Sequence, residues 1–284
     1  MATESSGQIS LPPELVDRTI DFLYDNRQAL AACALVHREW LHTSRHHLFR
    51  RISIRGDSDK LTGECSSLNQ RPYITFHLRE LNLSGSFIGV HICKHQLHDV
   101  LLHTPHLQKL GFTFLRLSGC QETCAGSLWN PSPISLEELV FGLGCDCVTL
   151  SNMLDILRMF GDVKLLHVVE LRWGRMHAFK WETFLHTFSQ LQPPSLLQVH
   201  SFKGGKYCPD IIPHVLLHTD SIHTLSSLSV NWRSAGRSGL DSLGSLLVAV
   251  GPTLTHLYMK VEFFWMLLAR MGKSSSASLL QQTN

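Results

Sequence analysis

Four cysteines in the middle of the chain have the spacing that comes closest to a metal site. Cys120 and Cys124 are separated by three residues, and Cys145 and Cys147 by one. Structural zinc sites hold the ion through closely spaced cysteine pairs on tight turns, so zinc is one interpretation of this set. Cysteine is also among the residue types most often buried as a small apolar side chain. We therefore predict buried thiols and no metal.

Other residues that could do chemistry do not form a catalytic pattern. The 18 histidines include Arg45-His46-His47 but no H-E-x-x-H spacing. Gly272-Lys273-Ser274 lacks the earlier glycine of a phosphate-binding loop, and Gly142-Leu143-Gly144 lacks the third glycine of a dinucleotide site. Neither a G-x-S-x-G element nor a carboxylate pair suited to acid–base catalysis stands out. We expect a protein that is not an enzyme and uses no cofactor.

The composition excludes two classes of binding protein. The 284 residues include 25 Lys and Arg against 23 Asp and Glu, a formal net charge of +2 with His neutral. Binders of nucleic acid or of anionic membranes usually carry a strong basic excess, so we expect neither partner. With 44% hydrophobic and 17% charged residues, the chain can bury a large core.

No apolar run approaches the ~20 residues that span a bilayer, and the first residues do not resemble a secretory signal. We expect an intracellular protein, in the cytoplasm, the nucleus or both.

Residues 9–54 have the spacing of short helices. Leu11-Pro12-Pro13-Glu14-Leu15 predicts a helix start, because proline fits the first helical turn and an acidic side chain suits the positive end of the helix dipole. Apolar residues continue at helical spacing as far as Leu23. A second helix is predicted from about Gln28 and a third, short one just before Arg50. Three short helices make a marginal core, so we expect a partner or neighbouring domain to cover the rest of the apolar surface.

The run from Ser10 to Ile52 resembles an F-box. That family's pattern is Leu-Pro-x-Glu-Leu, an Ile and a Leu one and two turns later, then Val-x-x-x-Trp and a final Leu-Phe. The cysteine that commonly follows the Val is His37 here. The resemblance implies binding to the Skp-type adaptor of an SCF-type, cullin-based ubiquitin ligase, although the same residues could instead form only the core of three helices. The adaptor-binding residues that it implies are Leu11, Pro12, Glu14, Leu15, Ile20, Leu23, Val36 and Trp40.

A Leu-x-x-Leu-x-apolar unit recurs seven times in the rest of the chain. The units start at Leu78, Leu107, Leu136, Val168, Leu197, Leu225 and Leu254. Successive starts are 29, 29, 32, 29, 28 and 29 residues apart, which falls in the range of leucine-rich repeats. His200 replaces an apolar residue in the fifth unit. We predict the α/β class, with a small N-terminal three-helix F-box-like module followed by a leucine-rich-repeat-like solenoid. The predicted boundaries are 1–9 for a flexible N-terminus, 10–54 for the F-box-like domain, 55–77 for a connector, 78–271 for the repeats and 272–284 for a polar tail.

The strands of such a repeat would present alternate residues on an outward, concave face. Mixed charges, small polar residues and one aromatic side chain on that face suit a protein partner. Beyond Met259, either residues 262–271 form a capping helix or the chain stops short of its natural end, and we expect the second. The candidate substrate-binding residues are Glu80, Asn82, Lys109, Glu138, Glu170, Arg172, Lys203, Asn231, Tyr258 and Lys260.

These features together predict the substrate-recognition subunit of an SCF-type ubiquitin ligase. The F-box-like helices would bind the Skp-type adaptor, and the repeats would hold a protein to be ubiquitinated. An F-box followed by degenerate repeats is similar to fungal families of such proteins. The alternative is a protein-interaction scaffold without a link to ubiquitin, in which the N-terminal helices cap the solenoid.

Overall fold

The first described segment forms three helices with recognisable end signals. The computed structural model describes residues 12–86, 90–118, 133–147, 150–173, 181–191, 193–207, 211–233 and 237–262. Helix α1 (Pro13–Asp21) begins at the proline and carries Glu14 in its first turn, as predicted. The Asn26 side chain accepts a hydrogen bond from the Ala29 N–H at the start of α2 (Arg27–Val36). His37 ends α2 in extended conformation, and its Nδ1 accepts from the Glu39 N–H at the start of α3 (Arg38–Arg50).

Eight parallel strands form the main row of the sheet. Their order across the sheet is β1-β2-β4-β6-β8-β9-β10-β11, and each neighbouring pair runs in the same direction. The strands are β1 (Arg51–Gly56), β2 (Glu80–Gly85), β4 (Lys109–Thr113), β6 (Ile134–Phe141), β8 (Phe160–Trp173), β9 (Gln198–Tyr207), β10 (Ser227–Arg233) and β11 (His256–Glu262).

Three short strands form a second parallel row that meets the first at β8. Strands β3 (Val90–Cys93), β5 (Leu115–Ser118) and β7 (Cys145–Cys147) pair in that order, and β7 pairs with the last three residues of β8. The 14 residues of β8 therefore belong to both rows. Its first part pairs with β6 and β9, and its end pairs with β7.

Helices connect the strands and supply the other half of the core. Lys94 Nζ on α6 (Lys94–Leu102) lies 2.6 Å from Asp155 Oδ2 on α7 (Leu150–Leu157), and Arg158 binds the other carboxylate oxygen, also at 2.6 Å. Asp155 is buried, so this ion pair ties the two helices together within the structure. The helices are α4 (Ser58–Asn69), α5 (Pro72–Thr75), α6 (Lys94–Leu102), α7 (Leu150–Leu157), α8 (Trp181–Gln190), α9 (Ile211–Leu217), α10 (Ser221–Thr224) and α11 (Arg237–Val250).

The core divides into a large cluster and a very small one. The large cluster extends along the sheet from β1 to β10 and includes Phe112 and Phe141, whose ring centroids are 5.5 Å apart. The small cluster lies within α1–α3 and contains only Val16, Ile20 and Leu30 as fully buried apolar residues. Each buried apolar side chain contributes about 1.5–3 kcal/mol. The three helices, called the helix unit below (residues 12–50), therefore have a marginal core of their own.

The fourth sequence unit lies at a different position from the one predicted. Strand pairing places Leu136 level with Val163, and Phe141 level with Val168. The unit therefore starts at Val163 rather than at Val168, because β8 contains the apolar pattern twice and only its pairing with β6 distinguishes the two.

The fifth unit is also shifted. Val199 lies level with Val163 and is fully buried, so the unit starts at Val199 rather than at Leu197. This leaves 36 residues between the fourth and fifth starts instead of 29. His200 does not replace an inward leucine. Its Nε2 lies 2.8 Å from Asp162 Oδ1 on the neighbouring strand, and the side chain is partly exposed.

The predicted architecture of a three-helix module followed by a leucine-rich-repeat-like solenoid was wrong. The structure is an α/β fold with a mostly parallel sheet, whose first strand follows α3 without an intervening residue. Parallel neighbours always require a crossover connection, so a recurring strand-and-helix spacing is expected of any such sheet and does not identify a repeat. The boundary predicted at residue 54 falls inside β1, and the predicted connector contains α4 and α5.

Candidate functional site

The surface of the helix unit carries large apolar side chains that nothing in the described structure covers. Leu15, in the first turn of α1, is 51% exposed. Phe22, the residue after α1, is 78% exposed. Leu35 is 88% and Val36 66% exposed at the end of α2. Single exposed apolar residues are ordinary, but several on so small a unit are typical of an interaction surface. We call Leu15, Phe22, Leu35 and Val36 the apolar surface.

The structure divides the predicted adaptor-binding residues into two groups. Pro12, Glu14, Leu15 and Val36 are exposed and available to a partner. Ile20 is completely buried. Two others, Leu23 and Trp40, pack against the small core. These three residues therefore hold the helices together rather than face outward, and Leu11 lies outside the described residues.

Sequence reasoning missed Phe22 and Leu35, the two most exposed members of the apolar surface. Phe22 follows Leu15 by seven residues, which places both on one side of α1, and the exposed Thr19 lies between them. That spacing was visible in the sequence. The spacing alone did not show which side of α1 faces the other helices, the side with Leu15 and Phe22 or the side with Val16 and Ile20.

A ladder of alternating charges crosses the first half of the outward sheet face. Arg51, Glu80, Lys109 and Glu138 occupy the same level on β1, β2, β4 and β6. Arg51 Nε lies 2.9 Å from Glu80 Oε2, and Lys109 Nζ lies 3.1 Å from Glu138 Oε2. Opposite charges on adjacent strands stabilise the pairing of those strands. Three of the predicted substrate-binding residues thus already have partners within the sheet.

In the second half of the sheet, the residues at the register position of this ladder form no charge pairs. That position continues through Leu165, Ser201, Ser227 and His256 on β8, β9, β10 and β11. This half, called the neutral face below, offers an apolar and hydroxyl surface in place of paired charges.

Further candidate residues lie at the next outward level. Lys203 is level with Ser229 on β10, which in turn is level with Tyr258 on β11. Lys203 and Tyr258 are exposed, Tyr258 at 59%. Lys260 is likewise exposed, and Asn231 is partly exposed although its Oδ1 atom is buried. Asn82 is exposed at this level on β2.

One predicted substrate-binding residue is inside the protein. Glu170 is only 5% exposed, and its Oε2 accepts a hydrogen bond from the Gly144 N–H at 3.0 Å. Gly144 has φ of +67°, a conformation that favours glycine. The prediction for Glu170 was wrong because it depended on the shifted fourth unit. The side chain of Arg172 lies outside the described residues.

A polar groove lies where β4, β6 and β8 begin. Its volume is about 340 Å³. Arg79 and Lys164 supply positive charge, and Glu137 and Asp162 supply negative charge. The Lys164 Nζ lies 3.0 Å from Asp162 Oδ2. Burial alone would raise the pKa of Asp162, but hydrogen bonds and charge from Lys164 and His200 outweigh burial and hold that pKa below its ordinary value. The groove could hold a polar segment of a protein that carries both signs of charge.

Metal chemistry finds no support in the described part of the chain. No group of three or more His, Cys, Asp or Glu side chains there is arranged to hold an ion. Cys145 is a buried thiol, as predicted, and donates a hydrogen bond to the Phe112 backbone oxygen at 3.2 Å, whereas Cys93 is in a disulfide bond. Cys120 and Cys124 lie outside the described residues. Among the helices that the structure describes, none is long and apolar enough to span a bilayer.

Comparison with known proteins gives no family for this chain. No protein-family model matches it, and no curated protein matches it either.

Proposed function

We propose that the helix unit docks onto a second protein and that, following the F-box resemblance, this protein is the Skp-type adaptor of an SCF-type ubiquitin ligase. The observation that carries the proposal is the apolar surface of Leu15, Phe22, Leu35 and Val36. Large apolar anchors at the centre of an interface typically contribute about 2 kcal/mol or more each.

The marginal core of the helix unit supports the same proposal. Only three apolar side chains are fully buried within it, whereas four large ones remain exposed on α1, α2 and the residue after α1. Small domains commonly need a partner to bury enough apolar area for stability. A docked protein would supply that burial. Pro12 and Glu14, which the F-box resemblance assigns to the adaptor contact, are also exposed beside Leu15.

The neutral face and the polar groove are the proposed sites for the protein to be ubiquitinated. Together with Tyr258 at the next outward level, they offer hydroxyl groups, an exposed aromatic ring and charges of both signs, which suit a protein surface better than a polyanion. In this proposal the chain does no bond chemistry. It holds the target near the ligase and so raises the effective concentration of a target lysine. This would place its action in the cytoplasm or the nucleus.

One contact favours a second candidate, a scaffold with no link to ubiquitin. The rings of Phe49 on α3 and Tyr73 on α5 are 6.3 Å apart and edge-to-face, so the helix unit also packs on the beginning of the sheet. Edge strands expose unpaired backbone groups that proteins commonly cover. The helix unit would then serve mainly to cover the β1 edge.

Binding of the purified adaptor to the full chain separates the two candidates. We expect Leu15→Ser with Val36→Ser to weaken the affinity, measured by isothermal titration calorimetry, about a hundredfold or more. The matched control is Leu102→Ser with Leu196→Ser, because these leucines are 53% and 64% exposed on other parts of the surface. The control should bind like the unchanged chain. No binding by the unchanged chain would refute the ubiquitin proposal, and equal loss in the control would refute the assignment to the apolar surface.

A further inference from the structure

Aromatic and titratable side chains fill the seam between the helix unit and the sheet. His42, His46 and Phe49 lie at spacings of four and three on α3, so they share one side of that helix. The His77 ring, just beyond α5, lies 5.7 Å from the ring of His42 and 5.6 Å from that of His46, edge-to-face in both cases. The seam therefore brings three imidazole rings together.

The charged groups that face these histidines are almost all positive. Arg45 lies on the same helix with its guanidinium 5.7 Å from the centre of the Tyr73 ring. Burial lowers the pKa of His77, and the charges of His42, Arg79 and Arg45 lower it further. Burial likewise lowers the pKa of His46, with His47, His77, Arg79 and Arg50 adding to the effect. Among the described residues, no carboxylate is within hydrogen-bond distance of either ring.

The carboxylates near the seam are engaged elsewhere. Asp21 on α1 binds His47 on α3, with 2.8 Å between Oδ1 and Nε2. Glu80 on β2 binds Arg51. The Asp21–His47 contact joins α1 to α3 inside the helix unit. A proton on His46 or His77 would meet only positive neighbours across the seam.

We propose that mild acid releases the helix unit from the sheet as an intact body, with the imidazoles of His46 and His77 as the trigger. Protonation places like charges between α3 and the segment that follows α5, while leaving the helix unit's own core and its Asp21–His47 contact in place. Because the released form binds more protons than the packed form below pH about 6.5, the ratio of released to packed molecules rises by about tenfold per pH unit for each extra proton.

The sign follows from the direction of the pKa shifts. Both His46 and His77 have lowered pKa values in the packed form, so packing is fully stable above the ordinary histidine pKa of 6.5 and is progressively lost as the pH falls below it. Global unfolding would not isolate this effect, because burial and His218 also lower the pKa of His214, to about 4, in a second cluster on α9. The test therefore needs a local measurement.

Hydroxyl-radical footprinting of the full chain between pH 7.5 and 5.5 tests the proposal. We expect the oxidation of Phe49 to rise as the pH falls, with the released-to-packed ratio growing about tenfold or more per unit below pH 6.5. Hydrogen exchange of α1–α3, corrected for the intrinsic effect of pH, should stay unchanged. The rise should be smaller in His77→Phe, which keeps a ring in the seam but leaves His46 as its titratable group, and lost when His46→Phe is added. It should be kept in His91→Phe, a change at an exposed histidine on β3.

Three outcomes would overturn the proposal. The first is a flat oxidation rate of Phe49 in the unchanged chain, and the second is a pH-dependent rise of undiminished size in His77→Phe with His46→Phe. The third is faster exchange of α1–α3 in parallel with the oxidation, since this would mean that the helices unfold rather than separate. His46→Phe serves as a second variant if His77→Phe fails to pack at pH 7.5, and it should also reduce the rise.

Discussion

Replacing Ile20 by Ala should open the helix unit, whereas replacing Phe22 by Ala should not. Ile20 is completely buried in a core with only two other fully buried apolar residues, Val16 and Leu30. Truncation of a buried Ile to Ala costs about 2–5 kcal/mol. We expect about 3 kcal/mol here, which raises the opening equilibrium roughly a hundredfold. Phe22 is 78% exposed, so about a fifth of its full burial energy is at stake, roughly 0.5 kcal/mol.

Hydrogen exchange followed by mass spectrometry measures both effects in one experiment. In Ile20→Ala, peptides from α1–α3 should exchange about a hundredfold faster, while peptides from β8 and β9 should be unchanged because they belong to the large core. In Phe22→Ala, no peptide should change by more than a few-fold. If Ile20→Ala kept full protection and yet lost adaptor binding, Ile20 would be a contact residue, and its assignment to the core would be refuted.

Three further predictions concern contacts between helices, two glycines and the cysteines. Asp155→Ala removes the buried carboxylate that binds the partly buried Lys94 and Arg158, and should lower the free energy of unfolding by about 1.5–3 kcal/mol in urea titrations. Gly205→Ala should destabilise the protein, because a Cβ there would lie 2.6 Å from a backbone oxygen of β8. Gly244 on α11 has open space around it, so Gly244→Ala should stabilise the protein by about 0.4–1 kcal/mol. Thermal melts measure both changes. Burial raises the pKa of Cys65 to about 11, so at pH 8 a thiol reagent should label the half-buried Cys33 and reach Cys65 only on unfolding; labelling of Cys65 in the folded chain would contradict this.

The first three sequence units were predicted in the correct register because their apolar residues stand alone. Leu81 and Leu83 are buried on β2, and the corresponding pair on β4 and on β6 is buried too. In each case polar or small residues flank the pattern, so only one alignment fits. Local alternation then determines which side chains face the core.

The fourth and fifth units could not be placed from sequence, because β8 is apolar over most of its length. Val163, Leu166 and Val168 match the pattern, and Val168 also starts a second match five residues later. Pairing with β6 selects the first, and this is a contact between residues distant in sequence. The error carried over to Glu170, which was assigned to the surface and is buried.

Core and surface could not be separated in the helix unit for a related reason. Leu15 and Ile20 are both apolar residues at helical spacing, and the F-box resemblance gives them the same role. Their burial differs because α1 turns the side of Val16 and Ile20 toward the other helices. Orientation of a short helix depends on tertiary packing, which local spacing does not specify.

The small core of the helix unit links docking to the histidine seam. A protein that binds the packed unit and not its unfolded form stabilises it by about 2.7 kcal/mol at a hundred times the dissociation constant. This is comparable to the loss expected from Ile20→Ala, so a bound adaptor should offset most of that loss. The apolar surface lies on α1 and α2, whereas the seam lies on α3 and α5. Release at acid pH would therefore leave the apolar surface intact. It would change only how the docked partner is held relative to the sheet. The affinity for the adaptor should therefore vary little with pH, whereas the distance between the adaptor and the sheet should increase below about pH 6.5.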